Sequence, residues 1–246
     1  YRVAEDRRVF LPCALGCDGA FLTHSQSIVK VPPQAWVTEF LPPYDHGDLL
    51  LHPDNPITIA PQVNEDWLME LRKHNDEAMK RARTVIREAY ADHERIFGRS
   101  YGNPYFEEYQ TEDAEVVLLG MGTLSMPVKV AIRQMRKQGM KVGFIRLRWF
   151  RPFPTEELQQ TLSRFKGVGV IDRDYSFGSP YFSGVLANEV RAAMYDAPAR
   201  PPVLCFICGL GGREVTVPNV REMTDLVARA ADGERLESTY WIGIRQ

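Results

Sequence analysis

Residues 114–154 read AEVVLLGMGTLSMPVKVAIRQMRKQGMKVGFIRLRWFRPFP, and this stretch decides the fold class. Val116–Leu119 is a short apolar run, typical of a strand buried on both faces of a parallel sheet. A Gly-rich turn leads from this run into a helix, and Gly139 is placed to end that helix in a left-handed conformation. The next apolar run, Val142–Leu147, predicts a second strand. The stretch therefore predicts a β-α-β unit.

The turn Gly120-Met-Gly122-Thr-Leu-Ser125 has two interpretations. A Gly-x-Gly turn between a strand and a helix is typical of a loop that binds a dinucleotide or a phosphate at the helix N-terminus. However, Ser125 stands where such loops have Gly or Ala. The following strand ends in Arg146-Leu-Arg148, without the acidic residue that binds the ribose hydroxyls, although an Arg there could accept a 2′-phosphate. The sequence favours a turn required only for folding.

The same alternation continues to the end of the chain. Predicted strands at 115–119, 142–148, 168–172 and 203–208 alternate with predicted helices at 126–138, 155–165, 182–195 and 219–232. This pattern indicates an α/β domain with a parallel sheet, which we assign to residues 113–246. The apolar tail 239–244 is expected to pack against that domain.

The N-terminal half is organised differently. Val9–Cys17 predicts a buried strand, and we interpret residues 1–30 as the end of a first α/β domain that begins upstream of Tyr1. Residues 31–62 are rich in proline, which predicts an extended linker without regular helix.

Residues 65–97 contain neither Pro nor Gly. Apolar side chains recur every seven residues at Leu71, Ala78 and Val85, a spacing that predicts one long helix with a single apolar stripe. Such a helix is expected to bridge two domains or two subunits, and with the linker it forms the predicted segment 31–112.

Polar side chains follow the ends of the predicted strands, where open α/β sheets bind their ligands. With two residues from the turn at Cys17-Asp18-Gly19 and the polar loop after it, the candidates are Asp18, His24, Arg148, Arg151, Asp172, Arg173, Asp174 and Arg213. They could form an anion site or make ion pairs at domain or subunit interfaces, and the sequence favours ion pairs. None is predicted to be catalytic, because the sequence has no nucleophile-elbow, zincin or paired-carboxylate pattern.

Four cysteines form the pairs Cys13/Cys17 and Cys205/Cys208. Cys205 and Cys208 lie in a predicted strand, where residues three apart face opposite sides, so they are not expected to bind one metal ion together. Cys13 lies in an apolar run. The sequence therefore predicts structural thiols, no metal site and a reducing cytoplasm.

Composition sets further limits. With 246 residues, 44% of them hydrophobic, the chain can bury a sizeable core. Its net charge of −2 predicts no binding to nucleic acid or to an anionic membrane, and no apolar run is long enough to span one.

Several motifs together resemble one family. Asp18-Gly-x-x-x-Thr-His24-Ser and Val37-Thr-Glu-Phe-Leu-Pro-Pro-Tyr44 resemble the end of the first domain and the linker of the 2-oxoacid:ferredoxin oxidoreductase alpha subunit. The runs 113–123, 141–154, 172–178 and 209–213 resemble the second domain of that subunit, which is similar to the transketolase C-terminal domain. Asp6-x-Arg-Val-x-Leu-Pro12 and the run 240–242 are closer to the oxalate branch than to the pyruvate branch.

This resemblance implies an enzyme that decarboxylates a 2-oxoacid on thiamine diphosphate and passes electrons through [4Fe–4S] clusters to ferredoxin, in most members with transfer of the acyl group to coenzyme A. It implies a thiamine-diphosphate-binding beta subunit and an iron–sulfur gamma or delta subunit as partners. The thiamine-activating Glu of the family would lie upstream of Tyr1. The chain itself is therefore expected to bind no cofactor alone and to have a mainly structural role.

Overall fold

The computed structural model describes residues 1–19 and 22–245, which divide into two compact units. The first comprises Tyr1–Gly16 and Gln26–Pro104, and the second comprises Cys17–Ser25 and Tyr105–Gln246. Within the described residues, no helix combines the length and the apolar character needed to cross a membrane.

Helix α2 (Leu68–Phe97) dominates the first unit and ends at Gly98, whose φ of +65° gives a left-handed cap. The predicted long helix is confirmed, but its apolar stripe is shorter than expected. Ala78, Ala82, Val85, Ile86 and Ala89 are buried, whereas Leu71 is 44% exposed. Leu71 belongs to the first turn of the helix, N-terminal to the buried stretch, and the stripe therefore begins at Ala78.

The predicted strand at Val9–Cys17 is wrong. These residues form no strand, and residues 12–17 are all exposed. Pro12 lacks the N–H that strand pairing requires, and Gly16 supplies no side chain to bury. Only Val9 is buried, in a cluster with Ala82 and Val85 of α2.

The prediction that prolines preclude a helix in the linker is also wrong. Helix α1 (Gln34–Phe40) lies between Pro33, at its N-cap, and Pro42. Neither proline interrupts a helical hydrogen bond, since one precedes the first turn and the other follows the last. The helix packs its aromatic residues on α2, with the rings of Phe40 and Phe97 5.5 Å apart.

The second unit contains a six-stranded sheet with the order β1-β3-β2-β4-β5-β6. The strands are β1 (Phe106–Tyr109), β2 (Val116–Met121), β3 (Val142–Leu147), β4 (Gly167–Asp172), β5 (Val203–Ile207) and β6 (Thr239–Trp241). All neighbouring pairs are parallel except β1–β3. The helices are α3 (Ser125–Lys137), α4 (Thr155–Leu162), α5 (Val185–Met194) and α6 (Val217–Ala231). The predicted α/β class and alternation are confirmed, and the apolar tail pairs as β6.

Edge strand β1 was not predicted. Its two glutamates point to opposite faces of the sheet, and each binds a cation on its own face. Glu107 pairs with Lys129 of α3 and Glu108 with Arg164 after α4. Its sequence Phe-Glu-Glu-Tyr is only four residues long and does not alternate apolar with charged side chains, so it does not stand out from a loop.

The helices form two layers. Helices α3 and α6 share one buried cluster with Leu118 and Phe144 of the sheet, while α4 and α5 contact each other on the other face. Gly169 of β4 permits this packing, because a Cβ atom there would lie 2.7 Å from side-chain atoms of Leu118, Phe206 and Val227.

The chain reverses its direction of winding between β2 and β4. From β2 it passes through α3 to β3 on one side, and then through α4 to β4 on the other side of β2. The carboxyl ends of β2 and β4 therefore flank the topological switch point, where open α/β sheets form a crevice.

Candidate functional site

Asp172 and Asp174 follow the alternation of an extended chain and point towards the N-terminus of α5. Asp172 accepts hydrogen bonds from the backbone N–H groups of Leu186 (3.1 Å) and Ala187 (2.9 Å), and Asp174 accepts one from Val185 (2.9 Å). These amides have no intrahelical acceptor, and a carboxylate is favoured at a helix N-terminus. The two candidate residues hold α5 on the end of β4.

Asp172 is nevertheless an unusual carboxylate, since only 4% of it is exposed. Burial raises its pKa to about 6, and the hydrogen bonds from Ala187 and Leu186 act in the opposite direction. The carboxyl group lies so close to Gly184 that a Cβ atom there would be 2.3 Å from it. Gly184 is therefore required for this approach.

The two C-terminal cysteines face different layers. The Cys205 thiol lies 3.7 Å from Asp172 Oδ2 and accepts a hydrogen bond from Gly184 N, on the α5 side. Cys208 belongs to the cluster that includes α3 and α6. Burial raises the pKa of each thiol to about 12, so both remain protonated at neutral pH. The predicted burial of both thiols is confirmed, although β5 ends at Ile207, one residue before Cys208.

The N-terminal cysteines differ from expectation, because Cys13 and Cys17 are both exposed. The apolar run around Cys13 does not form the strand that would have buried it. In the part of the chain that the structure describes, no three His, Cys, Asp or Glu side chains converge as metal ligands. The described residues therefore offer no group of thiolates that would fit a [4Fe–4S] cluster.

Asp18 and Arg173 meet at the switch point. Asp18 Oδ2 accepts a hydrogen bond from the hydroxyl of Thr123, just after β2, at 2.8 Å. The same oxygen lies 3.4 Å from Nη1 of Arg173, the first residue after β4. The Asp18 side chain is 16% exposed, and its carboxylate joins the carboxyl ends of the two central strands.

The other four candidates make different contacts. Arg151 pairs with Glu189 of α5 at 2.5 Å, and Arg213 donates to the carbonyl of Gly243 at 2.7 Å. Arg148 donates its backbone N–H to the carbonyl of Tyr105. His24 is exposed, and its ring contacts the hydroxyl of Thr23 at 3.0 Å.

The strand that follows the Gly120 turn offers no open nucleotide site at Arg146. The Arg146 guanidinium pairs with Glu107 of β1 at 2.9 Å, opposite it in the antiparallel register. The cation that could have accepted a 2′-phosphate is thus bound to the edge strand. Ser125 is buried and donates its hydroxyl to the carbonyl of Gly122, which tightens the turn itself.

Two cavities lie within the described residues, and Arg213 lines the second of them. One, of about 330 Å³, opens at the amino ends of the strands and is lined by residues that include Glu115, Lys141 and Lys166. Both lysines pair with Glu115 and lower its pKa to about 2. The other, of about 180 Å³, lies between the carboxyl ends of β5 and β6.

Sequence reasoning missed Thr123 as the partner of Asp18. The available signal was its position as the first hydroxyl after the Gly120–Gly122 turn. Thr123 and Asp18 are 105 positions apart in the sequence, and no local pattern links the two.

Two family models match the chain. The model described as pyruvate:ferredoxin oxidoreductase core domain II matches residues 114–220, and the one described as pyruvate flavodoxin/ferredoxin oxidoreductase, thiamine diphosphate-binding, matches residues 1–91. Together they account for most of the chain, in the order in which the resembling motifs occur.

Curated relatives match over the length of the chain. Pyruvate synthase subunit PorA of Pyrococcus abyssi is 38% identical over 100% of this chain and 61% of its own length. Ketoisovalerate oxidoreductase subunit VorA of the same organism is 36% identical over 96% of this chain and 58% of its own length. The chain thus spans about three-fifths of the length of these relatives.

A solved 2-oxoglutarate:ferredoxin oxidoreductase from Magnetococcus marinus aligns with 70% of this chain and 24% of its own chain, at 20% identity and a TM-score of 0.40. That similarity is too weak to bear on the site. The two family models and the full-length match to the curated subunits instead carry the assignment. This chain belongs to the family of 2-oxoacid:ferredoxin oxidoreductase alpha subunits.

Proposed function

We propose that this chain is the alpha subunit, or a fragment of the alpha subunit, of a thiamine-diphosphate-dependent enzyme. That enzyme oxidatively decarboxylates a 2-oxoacid and transfers the electrons to ferredoxin. The observation that carries the proposal is the collinear match to pyruvate synthase subunit PorA over the whole chain. The names of the relatives favour pyruvate or a branched 2-oxoacid, while the sequence motifs at 6–12 and 240–242 favour oxalate.

The chemistry of the described residues supports a mainly structural and assembly role. The charged side chains at the carboxyl edge are engaged with one another or with backbone groups, as in the Arg151–Glu189 pair and the Asp172 contacts with α5. Thiamine diphosphate, magnesium and the [4Fe–4S] clusters are assigned to partner subunits, a thiamine-diphosphate-binding beta subunit and an iron–sulfur gamma or delta subunit, in a cytoplasmic complex. Coenzyme A is proposed as a further substrate of that complex.

The alternative is an independent nucleotide-binding protein or transferase that uses the Gly120–Gly122 turn. The contacts at the turn disfavour it. The Asp18 carboxylate binds Thr123 directly after the turn, and Glu107 holds Arg146. A nucleotide phosphate would have to displace the Asp18 carboxylate before it could approach the N-terminus of α3.

The test is to produce the natural protein that contains this sequence, with and without the partner subunits encoded beside it. We expect reduction of ferredoxin or methyl viologen only in the assembled enzyme, with pyruvate, 2-oxoisovalerate and oxalate compared in parallel. The 246-residue chain alone should bind no thiamine diphosphate with magnesium in calorimetry. Micromolar binding by the chain alone would contradict the assignment of the cofactor to its partners, and inactivity of the assembled enzyme on all three acids would contradict the reaction.

A further inference from the structure

The contact between Asp18, Thr123 and Arg173 has the composition of an occupied anion site. A carboxylate oxygen is held by one hydroxyl donor at 2.8 Å and one guanidinium at 3.4 Å. These donors come from the ends of two different strands, β2 and β4, so the sheet itself fixes their spacing. The carboxylate is the group that an external carboxylate or phosphate would replace.

This contact lies at the switch point, where an open α/β sheet forms its crevice. Thr123 lies in the 3₁₀ turn Gly122–Leu124, which runs directly into the 13-residue helix α3, and no side chain caps the start of either segment. The partial positive charge of an uncapped helix start favours an anion nearby.

Arg173 is held in place for this role. Gly209 follows β5 with a φ of +69°, and a Cβ atom there would lie 3.3 Å from Nε of Arg173. The glycine therefore lets the side chain of Arg173 pass close to the 209 backbone on its way to Asp18. Arg173 is still 37% exposed, so an anion from solvent can reach it.

We propose that Thr123 and Arg173 form a binding position for a small oxyanion, a phosphate or a carboxylate, which Asp18 fills as an internal ligand in this structure. The inference is independent of the proposed function, since it concerns only contacts within the second unit. Asp18 then competes with the external anion for Thr123 and Arg173, and removing the charge of the Asp18 side chain exposes the site.

The experiment measures binding of inorganic phosphate to the full chain by calorimetry and phosphorus NMR. We expect Asp18→Ala to lower the Kd for phosphate at least tenfold relative to the wild type, and the double variant Asp18→Ala/Arg173→Gln to abolish the gain. Asp18→Asn, which keeps the size of the side chain, provides the same comparison if the alanine variant fails to fold. A parallel titration with oxalate shows whether carboxylates or phosphates bind better.

Asp225→Ala is the matched control, because Asp225 forms an exposed pair with Arg221 at 3.1 Å elsewhere in the same unit. It also leaves an arginine without its carboxylate, but not at the switch point. The proposal is overturned if neither Asp18 variant gains affinity for phosphate or oxalate, if the gain survives the loss of Arg173, or if Asp225→Ala gains as much.

Discussion

Replacing Ala82 with aspartate tests the packing of the long helix. Ala82 lies in the middle of α2 with only 3% of its surface exposed, in contact with the cluster of Val9 and Val85. Val3 and Leu11 complete this apolar surrounding. An aspartate at this position would therefore place a carboxylate among aliphatic side chains.

The magnitude follows from the pKa of the new group. The new aspartate avoids a buried charge if its carboxyl group is protonated. Keeping it protonated at pH 7 costs about 4 kcal/mol, because its ordinary pKa is about 3.9 and each pH unit above that pKa costs about 1.4 kcal/mol. Partial access to water at the edge of the cluster reduces this cost. We expect the free energy of unfolding to fall by about 2–4 kcal/mol at pH 7. At pH 5 the cost of neutralisation falls to about 1.5 kcal/mol, and the loss should shrink accordingly.

The assay is urea denaturation at both pH values, combined with hydrogen exchange of the α2 amides, which reports on this unit separately. Leu71→Asp is the control on the same helix, because Leu71 is 44% exposed and lies in the first turn, where an acidic residue is favourable. It should change the free energy of unfolding by no more than about 0.5 kcal/mol. If Ala82→Asp also costs less than about 0.5 kcal/mol, or if its cost does not depend on pH, the stripe is not buried as described.

Three further predictions concern the second unit. The pKa of about 6 for Asp172 means that the folded state binds this proton more tightly than the unfolded state does. The wild type should therefore lose up to about 3 kcal/mol of stability relative to Asp172→Asn as the pH rises from 4 to 7. Parallel curves of stability against pH for the two proteins would refute this. Gly169→Ala should cost about 1–3 kcal/mol in thermal or urea unfolding, since its methyl group would collide with three side chains, and a neutral result would mean that the sheet and α6 separate easily. Changing Cys205 and Cys208 together to alanine should leave the iron and sulfide content of the assembled enzyme unchanged, with a packing-scale loss of stability; loss of four irons per assembly would show that these thiols are ligands.

The second half of the chain was predictable because each element carries its own signal. Apolar runs such as Val116–Leu119 are buried on both faces, and their composition distinguishes them from surface strands. Gly139 follows the end of α3 with a φ of +85°, as its position predicted. Strand β1 failed for the opposite reason. Its identity depends on pairing with β3, some 35 residues away, and on two glutamates that bind helices on opposite faces.

The candidate residues could be located from the sequence but not paired. Their placement after strand ends follows from topology, so Asp172, Arg173 and Asp174 were found together. The direction of each side chain depends on the alternation of the extended chain and on the position of α5. Asp172 and Asp174 therefore contact α5, whereas Arg173 contacts Asp18. Thr123 was hidden because its partner lies far away in the sequence.

The two edges of the sheet limit the ways in which this unit can join other chains. One edge is the four-residue strand β1, whose glutamates are held by Lys129 and Arg164, and the other is the three-residue strand β6. Edges this short, one of them carrying charges, offer little template for an added strand. Growth of the sheet from one molecule into the next is therefore disfavoured. Any association of this unit with another protein chain should use helix faces and loops, where the contact is specific and does not extend the sheet.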